Sequence, residues 1–188
     1  MSTIIGIDPS LTRTGLARIT VHDHGHLIET NVIASTGSKG DDLTTRAERL
    51  ASIHQQVAAY ATAADLVVIE GPALNMSNPG TWDRAGLWWM IVDHLHAHEV
   101  PVAVCPPSTL KKLATGNGRA QKPDMRVAWL QRAGEDVADD NECDAAWLAT
   151  AGALQLGHAV MQLPVHNLAS LGKVAWPAGL ESGVEVAR

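Results

Sequence analysis

The 188-residue sequence predicts an α/β fold, in which a mixed five-stranded sheet of three antiparallel and two parallel strands carries helices on both faces. Two patterns support this prediction. The N-terminal part holds three strand-like segments joined by short turns, which is typical of an antiparallel meander. Further along, two continuous apolar runs each follow a helical segment, and such crossovers make neighbouring strands parallel. With 46% hydrophobic residues, the chain can form one sizeable core.

The antiparallel part is predicted over the first 34 residues. Strands are expected over 4–7, 14–21 and 27–34, and residues 22–25 supply the turn between the second and the third. The first strand ends at Asp8, which is followed at once by a proline. Asp-Pro is common turn chemistry, so Asp8 considered by itself is explained equally well as a turn cap.

The parallel part alternates helices with apolar strands. Asp42 is a suitable N-cap for a helix over 43–60, whose apolar residues recur at intervals of three and four. The apolar run over 66–69 is typical of a central strand covered on both faces. A second helix is expected over 81–98 and a fifth strand over 100–104.

Three helical segments complete the predicted domain, which covers residues 1–157. They are a helical turn over 108–113, a helix over 123–133, and a long helix that Asp139 or Asp140 caps and that ends near residue 156. Prolines and glycines then break the pattern. Residues 158–188 are therefore expected to form a loosely structured tail.

The cysteines and the apolar segments indicate the cellular compartment in which the protein is expected. The two cysteines, Cys105 and Cys143, lie in apolar stretches without metal-ligand spacing, so reduced, buried thiols are expected. The start of the chain lacks a basic leader, and no apolar run reaches the length of a membrane span. We therefore expect a cytoplasmic protein that does not enter a membrane.

Acidic residues follow two of the buried strands and begin the last helix. Asp8 and Glu70 stand at the ends of the first and fourth strands, where α/β sheets place their sites. Asp140 and Asp144 are four residues apart on one helix face, with Asn141 beside them. Converging carboxylates repel one another unless cations lie between them, and hard oxygen ligands select Mg²⁺ or Mn²⁺. Two such ions would suit phosphodiester hydrolysis.

Basic residues cluster in one window although the net charge is −6. An acidic protein with one basic face can still bind nucleic-acid phosphates, although a solvated basic surface is the simpler explanation of such a run. The cluster consists of Lys111, Lys112, Arg119, Lys122, Arg126 and Arg132.

Four stretches, in this order, resemble the RuvC family of Holliday junction resolvases over roughly residues 3–157. They are IIGIDPSLTRTGLA, VVIEGP, PPSTLKKLATGNGRAQKPDMRVAW and DDNECDAAWLA. The resemblance implies an RNase H-like fold with an acidic Mg²⁺ site. It also implies a homodimer that cuts two opposing strands of a four-way DNA junction.

The resemblance also implies roles for individual residues. Asp8, Glu70 and Asp144 match the family's catalytic, metal-binding acids. The family's DNA-binding segment matches the stretch that holds Lys111, Lys112 and Lys122, with Arg119 behind them. The loop over 75–84 is expected either to reach into the junction or to be a simple surface loop.

One position departs from the family. The residue three before the final aspartate is usually Asp or His, and here it is Asn141. An amide oxygen can bind a cation, but it brings no charge. Asp140, one residue earlier, is the preferred fourth ligand, with Asn141 as the alternative.

Other functions remain open from the sequence. The same fold could act on RNA-containing substrates or other branched DNA, and Asn141 could mark a junction-binding protein with a weakened catalytic site. His94 and His98 have the spacing of a zinc pair, but a polar helix end explains them better. Trp88, Trp89, Trp129 and Trp147 are expected in the core or at a dimer contact.

Overall fold

The computed structural model describes residues 1–72, 80–180 and 183. Its five strands are β1 Ser2–Asp8, β2 Arg13–His22, β3 Gly25–Ala34, β4 Leu66–Glu70 and β5 Val102–Cys105. They form a mixed sheet in the order β3-β2-β1-β4-β5. β1, β2 and β3 pair antiparallel, while β1–β4 and β4–β5 pair parallel. This confirms the predicted fold class.

Helices cover both faces of the sheet, and their bounds lie close to the predicted ones. One exception is α3, which is a helix of more than two turns rather than a single turn because prolines pre-set its first residues. The helices are α1 Leu43–Ala61, α2 Thr81–Ala97, α3 Pro107–Thr115, α4 Lys122–Ala133, α5 Asp140–Gln155 and α6 Val165–Leu168, followed by a 3₁₀ helix over Ala169–Lys173.

The strands of the sheet's centre are buried on both faces, and alternation decides which helices each side chain meets. Ile4 of β1 packs in the core under α5, and Ile5 and Ile7 pack under α1 and α2. In β4, Val68 and Val67 divide in the same way. Two-sided burial is why these strands read as continuous apolar runs rather than alternating ones.

α5 lies unusually close to the sheet because small residues meet at the contact. A Cβ at Gly6 of β1 would overlap the backbone of Ala145 and come within 2.5 Å of Ala149 N. A Cβ at Gly152 of α5 would stand 2.8 Å from side-chain carbons of Ile4 and Val68. The position of α5 over β1 therefore depends on residues that lack side chains.

The segment after residue 157 differs from the expected loose tail. Val160, Leu171 and Val174 are buried, and Asn167 donates a 2.8 Å hydrogen bond from Nδ2 to the Leu113 carbonyl. Ala175 exchanges two backbone hydrogen bonds with Val104 at the edge of β5. The apolar residues of this segment are spaced too irregularly to predict an element, yet they cover α3, α5 and the sheet edge. Residues 181, 182 and 184–188 lie outside the described part of the chain.

Two smaller expectations also have outcomes. Cys105 and Cys143 are free and buried, as expected, and burial raises the pKa of each thiol to about 12. Among residues 1–72, 80–180 and 183, we find no helix with the length and apolarity to cross a bilayer.

We expect Gly6→Ala to lower the free energy of unfolding by about 1–3 kcal/mol, because the new methyl group would push α5 off β1. The measurement is urea unfolding followed by circular dichroism. Gly40→Ala is the matched control, since a Cβ at Gly40 meets nothing within 4 Å. It should change stability by no more than about 0.5 kcal/mol. Equal stability of the two variants would contradict this account of the α5 contact.

Candidate active site

Asp8 and Glu70 lie at the same edge of the sheet because they end two neighbouring parallel strands. Strand alternation turns both side chains to the α5 face, since Asp8 follows Ile4 and Gly6 in phase and Glu70 follows Val68. Asp8 is only 7% exposed, and the charge of Glu70 is among the causes that raise the pKa of Asp8. Two neighbouring buried carboxyl groups repel each other when both are ionised.

Asp144 reaches the same place from α5. Asp139 caps this helix by accepting a 2.7 Å hydrogen bond from the Asn141 backbone, and its other oxygen pairs with Arg13 at 2.6 Å. Gly15, which pairs with Asp8 across β1 and β2, lies directly under the Asn141 carbonyl. These contacts fix the first turn of α5 over the end of β1.

Burial raises the pKa values of all three carboxyl groups, and neighbouring negative charges add to the increase. Burial is the largest cause at Asp8, followed by the charges of Glu70 and Asp144, and it raises the pKa of Asp8 well above its ordinary value. The pKa of Glu70 rises to about 7 through burial and then the charge of Asp144. Burial raises the pKa of Asp144 to about 6. The three carboxylates thus form a buried cluster of like charges.

Two of the predicted DNA-binding lysines stand beside this cluster. The positive charges of Lys111 and Lys122 lower the pKa values of Glu70 and Asp144, against the stronger effect of burial. The charge of Lys122 lowers the pKa of Asp8 as well. Lys112 and Arg119 are exposed on α3 and on the loop before α4. The structure therefore brings Lys111 and Lys122 to the carboxylates and leaves Lys112 and Arg119 on the surrounding surface.

Asp140 and Asn141 are placed differently. The Asp140 side chain is 41% exposed and faces two cations, Lys122 Nζ at 3.8 Å and Arg126 Nη1 at 4.0 Å. The charge of Asp140 is among the causes that raise the pKa of Asp144, but it is not among the causes at Asp8 or Glu70. The backbone of Asn141 lies over Gly15, the strand partner of Asp8.

The residues at this edge suit a divalent cation by their chemistry. Positive charge would stabilise these three carboxylates, because they are buried close to other negative charges. Their hard oxygen atoms match Mg²⁺ or Mn²⁺. As the described residues are placed, no three acidic, His or Cys side chains already enclose a common point. A cation bound there would offset the repulsion between Asp8 and Glu70 and would compete with protons for their oxygens.

Trp88 is a site residue that the sequence does not reveal. Its Nε1 donates a 2.9 Å hydrogen bond to the Glu70 carbonyl and so ties α2 to the end of β4. Nothing in the spacing of α2 signals this contact. Trp129 and Trp147 are buried and meet edge to face at 5.4 Å, which confirms their expected place in the core.

The other candidates lie away from the carboxylates or outside the described chain. His94 and His98 stack at 4.1 Å, and their ring nitrogens contact Thr62 Oγ1 and the His94 carbonyl, as suits a polar helix end. Of the loop over 75–84, residues 75–79 lie outside the described residues, and residues 80–84 begin α2.

We expect the cation-free protein to lose stability as the pH rises from about 4 to 7. Glu70 and Asp144 bind protons more tightly when folded, so deprotonation favours the unfolded chain over this range. Glu70→Gln should therefore raise the free energy of unfolding by about 1–3 kcal/mol near pH 8 and much less near pH 4. Urea unfolding in EDTA measures this. Glu48→Gln, on the exposed face of α1, is the control, and identical pH profiles for both variants would refute the assignment.

Comparisons with known proteins agree with this architecture. No family model matches the chain. The sequence is 32% identical over 126 residues to the crossover junction endodeoxyribonuclease RuvC of Bifidobacterium longum (strain DJO10A). The match covers 63% of this chain and 61% of that protein. The chain thus spans about three fifths of the length of this curated relative.

Solved structures show the same fold. Thermus thermophilus RuvC superimposes with a TM-score of 0.63 at 21% identity, covering 78% of this chain and 90% of that one. The same protein in complex with its Holliday junction substrate gives 0.63 at 20%, covering 79% and 91%. The yeast mitochondrial Holliday junction resolvase Ydc2 gives 0.53 at 13%, covering 92% and 81%. The chain therefore shares its fold with RuvC.

Proposed function

We propose that this chain, which is RuvC-like in both sequence and fold, is a metal-dependent endonuclease that resolves four-way DNA junctions in recombination and repair. The observation that carries the proposal is the meeting of Asp8, Glu70 and Asp144 at one sheet edge, with Lys111 and Lys122 beside them. Buried carboxylates and adjacent lysines are the parts that hydrolysis of a phosphodiester requires. The DNA substrate agrees with the cytoplasmic location expected from the sequence.

Each group has a proposed role. Asp8, Glu70 and Asp144 would hold Mg²⁺, for which Mn²⁺ can substitute, with two ions in a complete site. When bound, such cations supply the positive charge that stabilises the transition state of phosphodiester hydrolysis. Lys111 and Lys122 hold the phosphate next to the carboxylates and offset part of their repulsion. Lys112 and Arg119 extend the contact along the DNA backbone.

We expect Asp8→Asn and Glu70→Gln each to reduce junction cleavage by at least about 100-fold, because each removes a charged oxygen ligand. Junction binding should be retained, since the phosphate contacts come from other residues. Cleavage of a synthetic four-way junction in Mg²⁺ is compared with cleavage of linear duplex and of an RNA–DNA hybrid.

Glu48→Gln, which changes an exposed acid of α1, is the matched control and should cut normally. Preferred cleavage of the hybrid would favour a ribonuclease. Binding without cleavage in both Mg²⁺ and Mn²⁺ would favour a junction-binding protein. Full activity of Asp8→Asn would refute the assigned site.

For the fourth ligand we propose Asn141 as the alternative to Asp140, the residue preferred from the sequence. Its support is that Asp140 lies 3.8 Å from Lys122 Nζ and 4.0 Å from Arg126 Nη1, whereas the Asn141 backbone lies over the strand partner of Asp8. A carboxylate at 140 would then serve to hold Lys122 at the site rather than to bind a cation.

An amide ligand leaves the site one negative charge short, so we expect Mn²⁺ to stimulate cleavage. Asn141→Asp should raise the rate in limiting Mg²⁺ by about tenfold, and Asp140→Asn should keep most of the activity. The measurement is the cleavage rate against Mg²⁺ concentration for both variants. Loss of cleavage in Asp140→Asn with normal folding would restore Asp140 as the ligand.

The proposed enzyme is a homodimer, because two symmetric nicks require two sites. α2 exposes Trp82 by 85% and Trp89 by 63%, and these residues are seven apart on one face. Trp88, by contrast, is turned inward to Glu70. We expect Trp89→Asp to shift the protein from dimer to the 19.9 kDa monomer in sedimentation, and an unchanged dimer would exclude this face.

A further inference from the structure

A polar cleft of about 610 Å³ lies on the α1 and α2 side of the sheet. Four segments form it: the turn between β1 and β2, the loop between β3 and α1, and the first turns of α1 and α2. Its volume is within the range of clefts that take small organic groups. It lies outside the carboxylate site, whose side chains all face α5.

The cleft is basic although the chain as a whole has a net charge of −6. Its described lining holds four basic and two acidic side chains, a net charge of +2: Lys39, Arg46, Arg49 and Arg84 against Asp41 and Asp83. Both acids are already engaged. Asp83 forms a two-pronged pair with Arg46 at 2.5 and 3.0 Å, and Asp41 accepts a 2.7 Å hydrogen bond from the Ser38 backbone. Arg84 has contacts of its own, so the charge that an outside anion could meet comes from the other basic residues of the cleft.

Arg49 and Lys39 provide that charge. Arg49 is half-buried, and its guanidinium donates to two neutral oxygens, Ser35 Oγ at 2.8 Å and the Leu11 carbonyl, while its charge lowers the pKa of Asp83 without a salt bridge. In the part of the chain that the structure describes, neither Arg49 nor the exposed Lys39 forms an ion pair. A half-buried guanidinium held by neutral groups is oriented for a phosphate or a carboxylate.

The lining also indicates which kind of anion fits. Hydroxyl groups of Ser10, Thr12 and Ser38 face the same space, and hydroxyls commonly contact phosphate and sugar. Leu11 is the one large apolar residue among the described lining, and no described aromatic ring is present on which a base could stack. The cleft thus suits a sugar–phosphate backbone better than a free nucleotide.

The location connects the cleft to the carboxylates. Ser10 follows Asp8 by two residues, so the cleft opens at the same edge of the sheet. Lys111 and Lys122 approach that edge from the opposite face. Positive charge therefore stands on both sides of Asp8 and Glu70.

We infer that this cleft binds a backbone phosphate of the DNA, on the opposite side of the carboxylates from Lys111 and Lys122. The inference rests on the proposed function and deepens it by adding a second line of phosphate contact. A strand that passes the carboxylates would be held both upstream and downstream of the phosphate that is cut.

The test is the salt dependence of binding to a labelled four-way junction, measured by fluorescence anisotropy in EDTA. Each lost phosphate contact should reduce the magnitude of the log K versus log salt slope by about 0.9. We expect this reduction for Lys39→Ala and for Arg49→Gln. Lys39 is exposed and has no salt-bridge partner among the described residues, so Lys39→Ala remains informative if Arg49→Gln misfolds.

Two further variants separate the outcomes. Lys173 is an exposed lysine of the 3₁₀ helix and does not line the cleft, so Lys173→Ala should bind the junction like the parent protein. Lys122→Ala reports the phosphate contact already proposed for Lys122. If Lys122→Ala lowers the slope and Lys39→Ala does not, the cleft is not a DNA contact although the proposed function stands. If the parent protein does not bind the junction, both proposals fail. Binding of inorganic phosphate is measured as well. If Lys39→Ala abolishes phosphate binding but leaves the junction affinity unchanged, the cleft is a site for small anions and the inference is overturned.

Discussion

The close contact of α5 with β1 and β2 is the constraint on which the rest of the site depends. Gly6, Gly15 and Gly152 remove the side chains that would hold helix and sheet apart. As a result the first turn of α5 lies directly over the end of β1, and Asp144 stands beside Asp8 and Glu70. A helix displaced by the width of one methyl group would separate the carboxylates, because protein cores are close-packed and transmit such shifts.

This contact has an electrostatic cost. It buries three carboxyl groups next to other negative charges, and this raises their pKa values, so the cation-free fold binds protons at pH values where the unfolded chain has released them. Lys111 and Lys122 offset only part of the repulsion. Such a carboxylate cluster lowers the stability of the cation-free fold, and the same negative charge would attract cations. Functional sites often lower the stability of the fold in this way.

The sequence predicts those parts of the structure that depend on periodicity. Continuous apolar runs identify β4 and β5, the acid after each buried strand identifies Asp8 and Glu70, and the helix caps place α1 and α5 within a residue or two. Contacts between residues far apart in the chain carry no such signal. Trp88 at the Glu70 carbonyl and Arg13 at Asp139 depend on where α2 and α5 come to rest.

The choice between Asp140 and Asn141 could not be made from spacing, because both share the helix face of Asp144. The contacts that bear on it come from other elements: the Asn141 backbone lies over Gly15 of β2, and Asp140 lies within 4.0 Å of Lys122 and Arg126 of α4. The segment after residue 157 was misjudged for a similar reason. Its prolines and glycines suggest disorder, but its few apolar residues meet a surface that only the folded domain creates.

That segment also changes how the sheet ends. β5 would be an open edge with unpaired backbone groups, and such edges recruit strands from other molecules. The paired backbone of Ala175 closes it at Val104 from within the same chain. At the other edge, β3 exposes His26, Glu29 and Asn31, polar side chains that discourage strand addition. The β5 edge is thus covered by the C-terminal segment, and the β3 edge carries polar side chains. By covering β5, the C-terminal segment prevents the sheets of separate molecules from pairing at that edge.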